Sequence, residues 1–219
     1  WAGNRAASDG NGVSDTEEFM WVQDQISITG LMRVWTLFDT SSISAGDVVT
    51  AAVISVTGNY VNDAWDANEE YHYVTITGGS PASNTAIVDA DYSAMTALNT
   101  PTEFVTRNIN PRNFDDDDSA YNNVFTLNAD GRTAVAKGGI TKFIWRDSHE
   151  VDNGGQAATD NNCKARSTEY TGTDKDPKLV VTHAVGSDVE KINGIALSDI
   201  EKFNGITAAN ADKINTITF

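Results

Sequence analysis

The sharpest chemical feature of the chain is the run Asp115-Asp116-Asp117-Asp118. Four adjacent carboxylates repel one another unless protons, salt or a bound cation offset the charge. Calcium takes several oxygen ligands at roughly 2.4 Å, and acidic loops supply them readily. The run lacks the spaced acids, central glycine and terminal glutamate of an EF-hand, so calcium at Asp115 to Asp118 stands as one expectation and a solvated loop as the other. Trp65, in `NDAWDANEE`, is the aromatic residue that reads as exposed, and it is the candidate for stacking on a sugar ring. Tyr71, Tyr73 and Trp145 are weighed beside it, but large aromatics in sheets more often pack in a core.

Hydrolysis is the next chemistry to test. Glycosidases hold two carboxylates across a sugar, one of them kept protonated by its surroundings. Asp39, Glu69, Glu70, Asp147 and Glu150 are the nominal acids, and no spacing singles out a pair. His72, His149 and His183 are far apart and lack metal-ligand spacing. Cys163 is the single cysteine, which excludes an internal disulfide and a thiolate cluster; it reads as a free loop thiol or a small buried residue. No nucleophile elbow, phosphate loop or dinucleotide loop occurs. The sequence therefore predicts no enzyme and no resident cofactor, calcium excepted.

The elements that must position these residues are short strands. The 219 residues carry a formal charge of -16 with 40% hydrophobic and 21% charged residues. That is a globular composition without the cationic excess that phosphate neutralisation requires, so no nucleic-acid partner is expected. No run reaches the roughly 20 apolar residues of a membrane span, so no membrane insertion is expected. The acidity leans towards an exposed protein in a salty or calcium-containing medium.

Residues 1–16 are rich in glycine, asparagine, aspartate and serine and read as an irregular lead-in. `FMWVQDQISI` and `LMRVWTLF` read as neighbouring strands, and `VVTAAVISVTG` as a strand burying Thr50, Ala52, Ile54 and Val56 on one face. `EEYHYVTITG` alternates too, with His72, Val74 and Ile76 on one side. `EFVTRNI`, `NNVFTL`, `ITKFIWR` and `PKLVVTHA` complete the strands, and Pro177 stands where a missing amide costs least. `VDADYSAMTALN` reads as a short helix through Tyr92, Met95 and Leu98. `NADGRTAVAKGG` reads as another, opened by Asn128 and stopped by Gly138. Many short strands without long crossover helices predict an all-β chain, an antiparallel β-sandwich over residues 17–185.

Two phrases carry a family resemblance. `RVWTLFDTSSISAGDVVTAAVISV`, with Arg33, Phe38, Asp39, Ser41, Ser42, Ile43, Ala52, Ile54 and Val56, resembles the opening of DNRLRE-type carbohydrate-binding-like modules. `ARSTEYTGTDKDPKLVVTHA`, with Ser167, Pro177, Leu179 and Val181, resembles their close, except that His183 stands where tyrosine is usual. With `FTLNADGRTAVAKGGITKFIWRD` the resemblance spans roughly Phe19 to Ala184. It implies a jelly-roll-like sandwich of secreted, cell-surface and virion-associated proteins, and it transfers no binding residues.

Residues 186–219 repeat one phrase about every 11 residues: Lys191-Ile192-Asn193-Gly194-Ile195, Lys202-Phe203-Asn204-Gly205-Ile206 and Lys213-Ile214-Asn215-Thr216-Ile217. Glycine in mid-unit opposes a continuous helix. Turn-and-strand units with Asn-Gly corners are expected instead, with Ile192, Ile195, Phe203, Ile206, Ile214 and Ile217 as an apolar row that either serves assembly between subunits or packs on the sandwich of its own chain. These units resemble short appendages of phage virion and prokaryotic surface proteins. The expected function is a non-enzymatic structural or surface-display protein, a virion decoration, head or tail-fibre component, oligomeric with itself or with other virion or surface proteins. The alternative is a carbohydrate-binding module of a secreted or cell-surface bacterial protein, with glycans as partners.

Overall fold

The computed structural model describes residues 6–8, 10, 12, 19–24, 31–63, 73–109, 114–153 and 161–186, and the short paired pieces 191–192, 195–196, 202–203 and 206–207. The chain is all-β. Ten strands build three antiparallel sheets: β1 (Phe19–Asp24), β2 (Leu31–Met32), β3 (Val34–Asp39), β4 (Val48–Val56), β5 (Gly58–Asp63), β6 (Val74–Gly78), β7 (Asn123–Thr126), β8 (Ile140–Asp147), β9 (Asn161–Arg166) and β10 (Lys178–Ala184). Their orders are β10-β4-β7, β3-β8-β6 and β2-β1-β9-β5. Two strands change sheets within a residue or two. β4 passes through Thr57 into β5, and β2 passes through Arg33 into β3.

Alternation explains the layering. Ala52, Ile54 and Val56 of β4 are buried, and Val53 and Ser55 between them are not. Together with Phe125 of β7 they meet Val74 and Ile76 of β6, Phe143 and Trp145 of β8, and Cys163 and Ala165 of β9 in one core. Phe125 lies edge-on to Trp145 with ring centroids 4.9 Å apart, and Phe104 edge-on to Phe143 at 5.7 Å. The Trp145 indole N–H donates to Thr36 Oγ1 at 2.9 Å, so its polar atom is satisfied inside. This is the sandwich-like packing of sheet on sheet.

Several sequence expectations shift. Thr50 is exposed, because the ladder with β10 skips it: Thr182 faces Ala51 and His183 faces Val49, so Val49 rather than Thr50 turns to the core. β6 buries Thr75 and Thr77 as well as Val74 and Ile76, so it is covered on both faces rather than one; Tyr71 and His72 lie outside the described residues. `EFVTRNI` forms only isolated bridges, Glu103 with Thr77 and Val105 with Leu127, because its backbone is divided between two neighbours: Phe104 donates its N–H to Ile76 O and accepts the Asn128 N–H. `VDADYSAMTALN` makes one 3-10 turn, Asp89–Ser93, since both Asp91 carboxylate oxygens accept backbone N–H groups from Ala82 and Val88 and pull the segment off a helical path. Helix α1 (Ala129–Thr133) starts at Asn128, whose side chain accepts from Gly131 N–H at 2.9 Å. It ends well before Gly138, which adopts φ 74° in the turn leading to β8. Helix α2 (Ser148–Asp152), capped by Asp147, and strands β5 and β9 were not expected from sequence.

The Phe125–Trp145 contact carries a direct expectation. Phe125→Ala should lower the free energy of urea unfolding by about 3–5 kcal/mol, the usual cost of deleting a buried aromatic. Retention of wild-type stability would place the core elsewhere.

Candidate functional site

The aspartate run docks where β4 becomes β5. Thr57 is wholly buried, accepts the Arg166 N–H through its carbonyl at 2.8 Å, and accepts the Tyr121 N–H through its Oγ1 at 3.1 Å. Gly58 donates its N–H to Asn122 Oδ1 at 2.7 Å and accepts the Asp118 N–H at 3.0 Å. A β-carbon at Gly58 would stand 2.0 Å from Asp115 O and 2.5 Å from Asn123 Nδ2, so the approach of the loop requires glycine there. The loop in turn tightens into left-handed backbone at Asp118 (φ 61°) and Tyr121 (φ 60°).

The four acids are not equivalent. Asp115 Oδ1 accepts Asp117 N–H at 3.3 Å, and Asp117 Oδ1 accepts Ser119 N–H at 2.8 Å and Asn122 Nδ2 at 3.0 Å. These bonds hold the Asp117 carboxyl below its ordinary range, the Ser119 backbone bond most of all. Asp118 takes two bonds from Arg166, at 2.8 and 3.2 Å, and one from Lys175 Nζ at 2.5 Å. Arg166 and then Lys175 hold Asp118 down to about 2. Tyr170 lies beneath both cations, 4.0 Å from the Arg166 guanidinium and 5.3 Å from Lys175 Nζ. Lys178 sits 5.4 Å over Tyr121, and Lys164 sits 5.0 Å over the exposed ring of Tyr60. The result is a bonded charge-and-tyrosine surface at one end of the sandwich. Among the described residues no three His, Cys, Asp or Glu side chains converge as a metal site requires, and Asp115, Asp117 and Asp118 answer to protein donors.

A second charged group lies inside the protein. Glu150 of α2 is wholly buried, as is Arg146 of β8, and the Arg33 side chain is 1% exposed. Arg33 donates to Glu150 Oε1 through Nε at 3.1 Å and Nη2 at 2.8 Å. Arg146 donates to the same oxygen through Nη2 at 2.5 Å and reaches both oxygens through Nε at 3.1 Å. Further donors run to main-chain oxygens: Arg33 Nη1 to Tyr92 O, and Arg146 Nη1 and Nη2 to Ala97 O and Leu98 O, at 2.7–2.8 Å. The Arg33 guanidinium also covers the Tyr92 ring at 4.0 Å, and burial pushes the Tyr92 phenol up against the opposing pull of Arg33.

The nominal hydrolytic acids are thereby placed. Glu150 is wholly buried and both of its oxygens are taken by arginine donors, so it faces no cleft in which a sugar could meet it. Asp147 caps α2 through His149 N–H at 2.8 Å, and Asp39 accepts Ser41 N–H at 2.9 Å in a surface turn. Glu69, Glu70 and Trp65 lie outside the described residues. Trp145 is core, Tyr73 is half-buried, and Cys163 is a buried strand residue. His183 pairs with Asp47 at 2.6 Å, far from the other histidines in the sequence. The Arg33–Glu150–Arg146 group went unread because Arg33 lies 117 residues from Glu150. The available signal was an arginine closing the apolar run `FIW`, with Glu150 four positions on.

The repeat pairs as hairpins. In the first unit β11 (Lys191–Ile192) runs antiparallel to β12 (Ile195–Ala196), with Ile192 opposite Ile195. In the second, β13 (Lys202–Phe203) pairs with β14 (Ile206–Thr207), with Phe203 opposite Ile206. Ile214 and Ile217 lie outside the described residues.

A comparison with models of known protein families finds no match, and a comparison with curated protein sequences finds none either. The resemblance to DNRLRE-type modules therefore rests on the phrases quoted above.

Asp118 offers a pH test. Its folded value lies below the ordinary 3.8, so the pairing with Arg166 and Lys175 supports the fold above that value. The support is lost as pH falls from about 4 towards about 2. Carboxyl NMR titration should give a midpoint near 2 in the wild type and a midpoint moved back towards 3.8 in Arg166→Met. A wild-type midpoint at 3.8 would show that the ion pair does not form in solution.

Proposed function

We propose that this chain is a non-enzymatic structural protein of a virion or cell surface, a jelly-roll-like sandwich that assembles through its C-terminal Lys-x-Asn-Gly-Ile units. The observation that carries the reading is the pairing of Lys191–Ile192 with Ile195–Ala196 and of Lys202–Phe203 with Ile206–Thr207. A hairpin with two paired residues on each side is far below the size that holds in water by itself. Such units need a surface to lie on. Where the repeats begin, apolar residues are left in solvent: Val185 is 86% exposed and Val48 54%, beside the bond from Gly186 N–H to Gly46 O. An apolar surface of this kind, followed in the sequence by repeats that each set two large apolar residues opposite one another, fits a further copy of the chain or another surface protein.

The acidic and basic side chains of the described sandwich support the same reading, since those nearest to a catalytic pattern are engaged in holding loops and helices. The carbohydrate-binding alternative follows from the same resemblance and has Trp65, outside the described residues, as its candidate ligand residue. No described contact favours it over assembly.

Truncation after Gly186 tests the proposal. The shortened protein should keep the β-rich spectrum and cooperative unfolding of the full chain but sediment as a monomer, while the full chain sediments as an oligomer. Monomers in both forms, with a lower melting temperature after truncation, would make the repeat an internal brace. Oligomers in both forms would move the assembly surface to the sandwich.

A further inference from the structure

The loop between β9 and β10 ends in Asp176-Pro177, the only Asp-Pro pair in the chain. Asp176 Oδ1 is buried and receives no hydrogen bond, and it is the only carboxylate oxygen in that condition among the described residues. Asp176 is half-buried and shuts away this one oxygen, whereas the fully buried aspartates among the described residues are provided for. Asp91 accepts from Ala82 and Val88, Asp147 from His149, and Asp47 pairs with His183. A carboxylate oxygen shut from water without a donor is costly, and the cost falls when the group keeps its proton. The surroundings act in that direction. Burial raises the Asp176 carboxyl above its ordinary value, and the neighbouring Asp174 adds to the effect. The nearby cation Lys175 is drawn away, with its Nζ on Asp118.

We propose that the Asp176–Pro177 peptide bond is a self-cleavage site. The pieces lie within one residue of each other: a carboxyl group that holds its proton more firmly than an ordinary aspartate, its own carbonyl carbon, which closes a five-membered ring with it, and a proline nitrogen as leaving group. Proline nitrogen carries no hydrogen and is a tertiary amide nitrogen, so it accepts a proton more readily than an ordinary peptide nitrogen. The carboxyl proton passes to Pro177 N as the carboxyl oxygen attacks the Asp176 carbonyl carbon. The C–N bond breaks, Pro177 leaves as a free secondary amine, and Asp176 is left as a five-membered cyclic anhydride. One water then opens the anhydride to a new C-terminal carboxyl and the restored side chain. One water is consumed and nothing is oxidised or reduced. Nucleophile and acid come from the same group, so the advantage is that of an intramolecular reaction.

Cleavage here would not release the C-terminal piece at once. β10 begins at Lys178 and stays paired with β4 from Lys178↔Ser55 to Ala184↔Val48. Its Leu179 and Val181 also pack against the core. The product is a nicked sandwich whose last strand carries the repeats without a covalent link to the rest. This inference is independent of the assembly reading, and the experiment below does not use oligomeric state.

Full-length protein is incubated in mildly acidic buffer, native in one sample and unfolded by urea in the other, and followed by denaturing gel and mass spectrometry. The native sample should accumulate fragments 1–176 and 177–219 several-fold faster than the unfolded one. Asp176→Asn and Pro177→Ala, each checked for wild-type unfolding behaviour, should stay intact. Native cleavage equal to or slower than cleavage of the unfolded chain would show only the general acid lability of Asp-Pro, and would overturn the proposal. So would an intact native chain.

Discussion

Burial of Glu150 between Arg33 and Arg146 is the constraint on which the rest of the sandwich depends. Taking three ionised side chains out of water costs several kcal/mol per ion, and their mutual attraction offsets this only when geometry and hydrogen bonding are nearly complete. That requirement reaches outward. Arg33 must sit in the break between β2 and β3, Arg146 near the end of β8, and Glu150 on α2, while Tyr92, Ala97 and Leu98 must present their carbonyls to the guanidinium groups. One charged group thereby fixes a short helix, a 3-10 turn and a loop against the sheet β3-β8-β6. None of those segments is long enough to hold itself in place.

The same logic, with weaker terms, operates at the other end. The aspartate run would repel itself as a free loop. Instead Asp118 is bonded to Arg166 of β9 and Lys175 of the following loop, while Asn122 and Gly58 close the backbone around it. Gly58 is the position at which a strand changes sheets and at which another segment passes too close for a side chain. Both charged groups stand where strands break, β2 to β3 at Arg33 and β4 to β5 at Thr57. A sandwich of interrupted strands has to secure its junctions, and this one does so with polar side chains.

Much of the framework was legible because strand alternation is a local property. `VVTAAVISV` and `ITKFIWR` announce themselves, and Asn128 and Pro177 mark the start of a helix and of a strand. β9 was not legible: `NNCKAR` is polar and lacks β-branched residues, and it is a strand because β1 and β5 pair with it on either side. Helix α2 is one turn long and owes its place to Glu150, so no periodicity could reveal it. In the candidate sites the sequence showed the acids but not their partners. Asp118 reads as one of four alike until Arg166, 48 residues away, is brought to it. Asn-Gly at the centre of the first two repeats pointed to a turn between short strands, the simplest turn chemistry there is.

Equilibrium unfolding of Glu150→Gln in urea tests the central claim most directly. The substitution keeps the shape of the side chain and removes the charge that both guanidinium ions share. The account predicts a loss of about 3–5 kcal/mol, the usual result of breaking a buried ion pair from one side. Combining it with Arg33→Met and Arg146→Met should recover much of that loss, because no charge is then left buried without its partner. A Glu150→Gln protein within about 0.5 kcal/mol of wild type, the range of an ordinary surface substitution, would contradict the account and leave the apolar core as the sole organiser of the fold.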